Sequence, residues 1–470
     1  MPESSRAKVA GPVTGGTHGW AFGTPVTDLA SHGYREDEFF LEGHATRYAP
    51  VPGTELGWDG RWQVEPKGSA PFKTRMVVVR PVDPAAFSGT VLMAWNNVTA
   101  GYDNFGGGDS PVLFDNGGAF VAVSAQRVGV HGFPEHPMGL IGWDSDRYGS
   151  LSIPSDDFSF DIFTQAAQAI LAGGADAAVD PMGGLEVRRI IAQGASQSAG
   201  RLSAYLNAVQ PLAGVIDGFM LTLYFGSGSP LEVGEGFVSL PAPGTEEARR
   251  RSPLIGSNLL RDDLDVPVMV VNSECETEAC YGVRQPDTER FRYWEAAGTS
   301  HISRQAMASV GPRYQRDFGF VPPDQPGINE VPMNPVVDAS LHHMLAWVER
   351  GDAPPSQPRI EFAGEPPEIG RDEHGIARGG IRLPQVEVPI AHNSAIPLTP
   401  DFISRLGGTS TPFPPEKLQA LYESQANYLK LFEQAARAAE TTGAILPSDA
   451  DALIAEAAAR PNSSTETDGG

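Results

Sequence analysis

A mostly parallel α/β sheet with helices on both faces is the fold class this sequence predicts, and three observations predict it. Compact apolar runs of strand length recur along the chain, each closed by small or polar residues, as strands covered on both faces require. Segments with apolar residues at helical spacing lie between them. Glycine and proline, 53 and 41 of the 470 residues, are spread throughout rather than gathered in one tract, which suits many loops joining short elements. With 41% hydrophobic and 20% charged residues the chain has the make-up of a folded globular protein, and it contains no internal repeat.

Taken in order, residues 1–20 are an N-terminal tail and the main domain is expected over 21–395. It opens with two strands of an antiparallel lead-in, EFFLEGHATRYA (Glu38–Ala49) and FKTRMVVVRPV (Phe72–Val82), joined by a long connection from Pro50 to Pro71. GTVLMAWNNV, GAFVAVSAQRV, RRIIAQGAS, VPVMVVNSE and RFRYWEAAG then read as parallel-type strands. Helices are expected at DIFTQAAQAILAGG, which ends in a Gly-Gly stop, and at SAGRLSAYLNAVQP, which runs to a proline. Two irregular, lid-like insertions interrupt the pattern. One, at about 224–263, lies between the strand-like GFMLTLYF and the strand at Val266, and the other spans 303–334. VVDASLHHMLAWVERG is an amphipathic helix. A C-terminal extension over 396–460 carries two more, PEKLQALYESQANYLKLFEQAARAAE and PSDADALIAEAAAR, before a tail at 461–470 expected to be disordered.

The net charge of −24, from 34 basic and 58 acidic side chains, repels phosphate backbones and anionic headgroups, so nucleic acid and membrane surfaces are excluded as partners. The N-terminal stretch lacks an apolar signal region, and no segment reaches the roughly 18 unbroken apolar residues of a membrane span, which predicts a cytoplasmic protein. Cys275 and Cys280 are too few for a disulfide framework and read first as ordinary reduced cysteines, with one local bridge or a redox-sensitive pair as the alternative their close spacing leaves open. The composition leaves a homo-oligomer open.

Chemistry enters at RRIIAQGASQSAGRL (Arg188–Leu202), where a β-branched run breaks at Gly194 into two serines and a helix-forming tail. A strand ending in Gly-x-Ser and feeding directly into a helix is a nucleophile elbow, which holds the serine on a strained turn above the sheet. Gly194 and Ala195 are small, as close approach of neighbouring backbone demands, and Ser198 replaces the usual second glycine. Ser196 is therefore the expected nucleophile, with the N–H of Gln197 and the helix dipole facing charge that develops on an attacked carbonyl oxygen. Ser198 has a structural role in closing the turn.

A hydroxyl is a poor nucleophile at neutral pH, so it needs an imidazole to take its proton and a carboxylate to fix the imidazole's tautomer. In hydrolases of this architecture the acid and then the histidine follow the serine, each on a loop after a later strand. After VPVMVVN comes SECETE, and after FRYWEAAG comes TSH. His301 alone among ten histidines holds such a position, and Glu276 is favoured as the acid over Glu274, which lies nearer the strand end. The second oxyanion donor is expected from the backbone of Asn97 or Val98, after TVLMAW.

Rival motifs fail. FGGGDS has no Lys-Ser/Thr ending and no following apolar helix, so it is not a phosphate cradle. DSDRYGSLSIPS places Tyr148 and Ser155 where a calcium loop needs oxygen-rich ligands. His342 and His343 are adjacent on a helix and point apart, and no metal site is expected.

GASQSAGR resembles the elbow of the large α/β-hydrolase serine esterases that carry Gly-x-Ser-Gln-Ser followed by Gly-Arg, with one added alanine here before Gly200. The resemblance extends to Trp143–Ala166 before the elbow, to VPVMVVNSECETEA, RQPDTERFRYWEAAGTSH and LAWVERGDAPP, and to the C-terminal RLGGTSTPFPPEKLQALY. It implies an α/β-hydrolase fold with the C-terminal extension packed on the main domain, and cofactor-free hydrolysis of a small carboxylic ester. Ser196 and His301 carry over directly, and the family's two carboxylates two apart match Glu274 and Glu276 without choosing between them. An acyltransferase or lactonase on the same triad, or a non-catalytic binding protein of the same fold, is the alternative.

Overall fold

The computed structural model describes residues 6–104, 106–172, 179–234, 258–396 and 406–460. Nine strands form one sheet in the order β1-β2-β3-β5-β4-β6-β7-β8-β9. They are β1 (Lys8–Ala10), β2 (Tyr34–Pro50), β3 (Val64–Pro81), β4 (Thr90–Trp95), β5 (Ala119–Val123), β6 (Arg189–Ala195), β7 (Gly218–Thr222), β8 (Val268–Ser273) and β9 (Phe291–Ala296). From β5 through β4, β6, β7 and β8 to β9 every pairing is parallel. The first three strands join antiparallel, and β3 meets β5 antiparallel. This is the expected mostly parallel α/β sheet, with the expected parallel strands at β4, β5, β6, β8 and β9 and the strand-like GFMLTLYF at β7. Every residue of β4, β5, β7 and β8 is buried, which is why those runs are continuously apolar rather than alternating.

The lead-in hairpin is longer than the sequence predicts, because β3 starts at Val64 and takes up part of the expected connection. Residues 65–69 of that arm are exposed, so no apolar alternation marks them as strand.

Helices cover both faces. On one, α1 (Ser159–Leu171) and α2 (Gln197–Ala204), the latter continued by a π-helical turn at Tyr205–Val209, pack Phe160, Phe163, Leu202 and Tyr205 against Val91 and Met93. After β8 comes α3 (Glu274–Cys280), and after β9 comes α4 (Arg304–Phe318). On the opposite face, α5 (Asn334–Arg350) sets Val336, Met344 and Leu345 into a core with Leu92, Ile191 and Trp294. The C-terminal helices α6 (Pro415–Tyr422), α7 (Gln425–Thr441) and α8 (Pro447–Ala459) add Tyr422, Tyr428, Phe432 and Leu453 to that same core.

Two expectations about helices need correction. The insertion at 303–334 is not irregular throughout, since it contains α4, capped by Ser303 Oγ accepting from Ala306 N (3.2 Å) and stopped by Gly319 at φ +78°. Pro312 inside it, and a surface that buries only Gly311 and Asp317, hide it from periodicity. The single helix expected from Pro415 is two, because Glu423 turns to φ +61° and Ser424 caps a new helix through Asn427 N (3.2 Å). Of the insertion at 224–263, residues 235–257 lie outside the described residues, as do the 461–470 tail and residues 1–5 of the N-terminal tail. Among the described residues, no helix is long and apolar enough to cross a membrane.

Candidate active site

β6 delivers Ser196 to the carboxyl edge of the sheet, and α2 begins one residue later. The turn is sharp. Ser196 sits at φ +58° and ψ −120°, a conformation that costs a non-glycine residue about 1–3 kcal/mol and persists only when its surroundings enforce it. Three contacts do so. Ser196 N donates to Thr222 O at the end of β7 (3.0 Å), and Ser198 Oγ accepts from Ala195 N (2.9 Å) while donating to Ala195 O (2.8 Å). Ser198 thus closes the turn, as the sequence predicts. Gly194 is obligatory because a Cβ there would lie 2.6 Å from Ser198 O.

On the far side of β7, Ser273 ends β8 and caps α3 in a Ser-x-x-Glu capping box. Ser273 N (2.9 Å) and Ser273 Oγ (2.6 Å) both donate to Glu276 Oε2, which fixes the carboxylate and leaves Oε1 to face the loop after β9. There Glu276 Oε1 meets His301 Nδ1 at 2.7 Å, with the glutamate fully buried and the His301 side chain 7% exposed. A carboxylate accepts, so Nδ1 is the donor to Glu276 and Nε2 is the ring nitrogen left free of that contact. Phe225, three residues beyond Thr222, stacks on the imidazole with ring centroids 5.4 Å apart.

The residues on either side of β7 therefore converge on one edge of the sheet. The Ser196 hydroxyl makes no hydrogen bond among the described residues, so the serine and the imidazole are not hydrogen-bonded to each other in this structure. Catalytic hydrogen bonds are often long in unliganded enzymes and tighten around substrate.

Glu274 is directed elsewhere. Two positions before Glu276 on the same helix, its side chain points away and accepts from Gly298 N (2.8 Å) and Arg371 Nη2 (2.9 Å). Of the two expected acids, only Glu276 reaches His301.

Of the two expected donors after β4, the Asn97 backbone N–H is occupied by Asn104 O at 2.8 Å, which removes it as an oxyanion donor. The Asn97 side chain instead ties this loop to the elbow, Nδ2 donating to Ala195 O (3.0 Å) while Oδ1 accepts from Thr99 N (2.9 Å). Val98 N–H has no partner among the described residues, and Gln197 N–H, at the first position of α2, has none within its helix.

A buried chain of polar groups that sequence reasoning missed underlies α2. Gln197 Nε2 and Trp95 Nε1 both donate to Gln126 Oε1 at 3.1 Å, and Gln126 Nε2 and Arg201 Nη2 both donate to Asp156 Oδ2 at 3.0 Å. It fastens the elbow helix to β4 and to the loops after β5 and before α1. Phe225 was missed as well, since a lone aromatic after a strand carries no motif. The Ser273–Glu276 spacing was the signal available for the acid.

Cysteine chemistry is disfavoured. Burial, with Glu276 beside it, pushes the Cys275 thiol well up, and burial pushes Cys280 up to about 12, so neither is a ready thiolate, and neither forms a disulfide. His343 stands apart from the site, its Nε2 3.0 Å from Gly443 O and its ring edge-on to Trp294, as a packing residue.

Comparison with known proteins places this geometry in context. Among solved structures the chain is similar to a prolyl endopeptidase at 15% identity and a TM-score of 0.29, over 56% of this chain and 35% of that one, so it spans about a third of that protein's length. It is similar to esterase Est22 at 12% identity and a TM-score of 0.28, over 56% of this chain and 72% of that one. To oligopeptidase B from Leishmania major it shows 12% identity and a TM-score of 0.27, over 56% and 33%. No curated protein matches. A family model described as the alpha/beta hydrolase domain matches residues 9–455, from the first strand to the last helix. With nearly its whole length matched, this chain belongs to the alpha/beta hydrolase domain family.

Proposed function

We propose that the protein is a serine hydrolase of small carboxylic esters, with Ser196 as nucleophile, His301 as general base and acid, and Glu276 as the carboxylate that orients it. The observation that carries this reading is the 2.7 Å contact between His301 Nδ1 and the capping-box glutamate, at the same sheet edge as a serine on a strained strand-to-helix turn.

In the acylation step Ser196 Oγ attacks the ester carbonyl carbon as its proton passes to His301 Nε2. Negative charge collects on the carbonyl oxygen, where Gln197 N–H and Val98 N–H are the donors. Collapse breaks the bond to the alcohol, which leaves with the proton from His301. Water then repeats the sequence on the acyl-serine, releasing the acid and restoring Ser196. Glu276 remains ionised and holds Nδ1–H throughout.

The test is turnover of a p-nitrophenyl ester by the S196A variant. A fall of at least about 10³-fold is expected, since removal of any triad member leaves only binding and oxyanion stabilisation. Burst and steady-state rates equal to those of the parent would refute the assignment.

A further inference from the structure

The second carboxylate of the acid loop has no part in the chemistry above, yet it is as deeply buried as the first. Glu274 is 1% exposed, and its side chain spans two segments far apart in the chain. Oε2 accepts from Gly298 N at 2.8 Å, three residues before His301, and Oε1 accepts from Arg371 Nη2 at 2.9 Å and from Ala395 N at 3.4 Å. Gly298 makes the turn at the start of the histidine loop. It adopts φ +68°, a Cβ there would lie 2.7 Å from Val386 Cγ2, and its carbonyl accepts from the buried Asn329 Nδ2 at 2.8 Å. The next residue closes the same link from the other side, Thr299 Oγ1 accepting from Glu274 N (3.4 Å) and donating to Ala296 O (2.7 Å).

On the reading that His301 is the base, we infer that Glu274 and Arg371 are a positioning pair for it. The helix that carries the acid grips the histidine loop at two points. Glu276 holds the ring, and Glu274 holds the loop's stem through the Gly298 N–H. Arg371 supplies the counter-charge that lets a carboxylate sit there without water, because an unpaired buried charge is costly. Arg371 is anchored in turn by Nη1 donating to Gly375 O (3.2 Å), and it also faces Glu278, whose carboxyl burial raises and Arg371 lowers. The segment after α5 therefore takes part in setting the base, although it supplies no group to the reacting atoms.

The experiment compares E274A, R371M and the E274Q/R371M double variant on p-nitrophenyl acetate, beside S196A. E274A removes the acceptor for Gly298 N–H, so kcat should fall about 10²-fold with KM unchanged, the effect of misplacing a catalytic group by about 1 Å. The double variant keeps a neutral acceptor and deletes the cation with its partner, so its kcat should return to within a few-fold of the parent. Parent-like kcat in E274A would overturn the inference, as would a double variant no more active than E274A. If E274A does not fold, R371M decides. A loss of kcat that E274Q restores in the double variant supports the pair, and a parent-like R371M refutes it. An S196A variant that retains turnover would sink the reading of the site itself, which separates the two failures.

Discussion

Glu276 and Ser196 are each held in place by the groups that surround them. In the proposed mechanism Glu276 orients His301 rather than transferring a proton. E276Q should leave the fold intact while presenting the wrong partner to Nδ1–H, so kcat on p-nitrophenyl acetate should drop about 10⁴-fold with little change in melting temperature. A loss below tenfold would mean that another group orients His301. Ser196, the proposed nucleophile, carries backbone strain. S196G should be inactive yet melt at or above the parent temperature, because glycine adopts φ +58° freely and relieves part of the roughly 1–3 kcal/mol stored there. A lower melting temperature would show that the turn is not strained. At this scale the sequence was readable in part. The serine and histidine stood out by their places after strands, but two glutamates two apart differ only in which side of a short helix they face. Choosing between Asn97 and Val98 required the hydrogen bond from Asn97 N to Asn104 O, which leaves no trace in residue types.

At the scale of elements, the buried parallel strands were the most legible, because a continuous apolar run of strand length suits few arrangements besides a strand covered on both faces. Helix α4 was not, since its exposed surface and internal Pro312 erase the amphipathic signal. The capping box at Ser273 shows one short pattern doing two jobs, starting α3 and fixing the Glu276 carboxylate that faces His301. Elements also set how stability depends on pH. Burial first, and then Asp449 on α8, raise the Asp338 carboxyl on α5 from 3.8 to about 7, while burial raises Asp449 itself and leaves its Oδ2 without a partner among the described residues. A carboxyl whose value is raised by folding binds more protons in the folded state, so its cost is absent below pH 3.8 and grows as pH rises toward 7. D338N should therefore melt a few degrees above the parent at pH 8, with the gap vanishing at acid pH. An equal gap at both pH values would contradict this linkage.

Among the described residues the nine-stranded sheet carries a core on each face, and the C-terminal helices complete the second core rather than standing apart. The site draws on that whole. The proposed nucleophile follows β6, the proposed acid lies on α3 after β8 and the proposed base on the loop after β9, while Arg371 and Ala395 both donate to Glu274 on α3. Lead-in strands, elbow and triad loops were visible in sequence because each follows local rules. The contact between Glu274 and Arg371 was not, because the two lie 97 residues apart.

In the proposed mechanism Ser196 alone is activated, and His301 activates it. Treatment with a fluorophosphonate followed by intact-mass and peptide mapping tests it most directly. A single adduct on Ser196 is expected, with labelling slowed strongly in H301A and absent in S196A. An adduct on another residue, or equal labelling of parent and H301A, would contradict it.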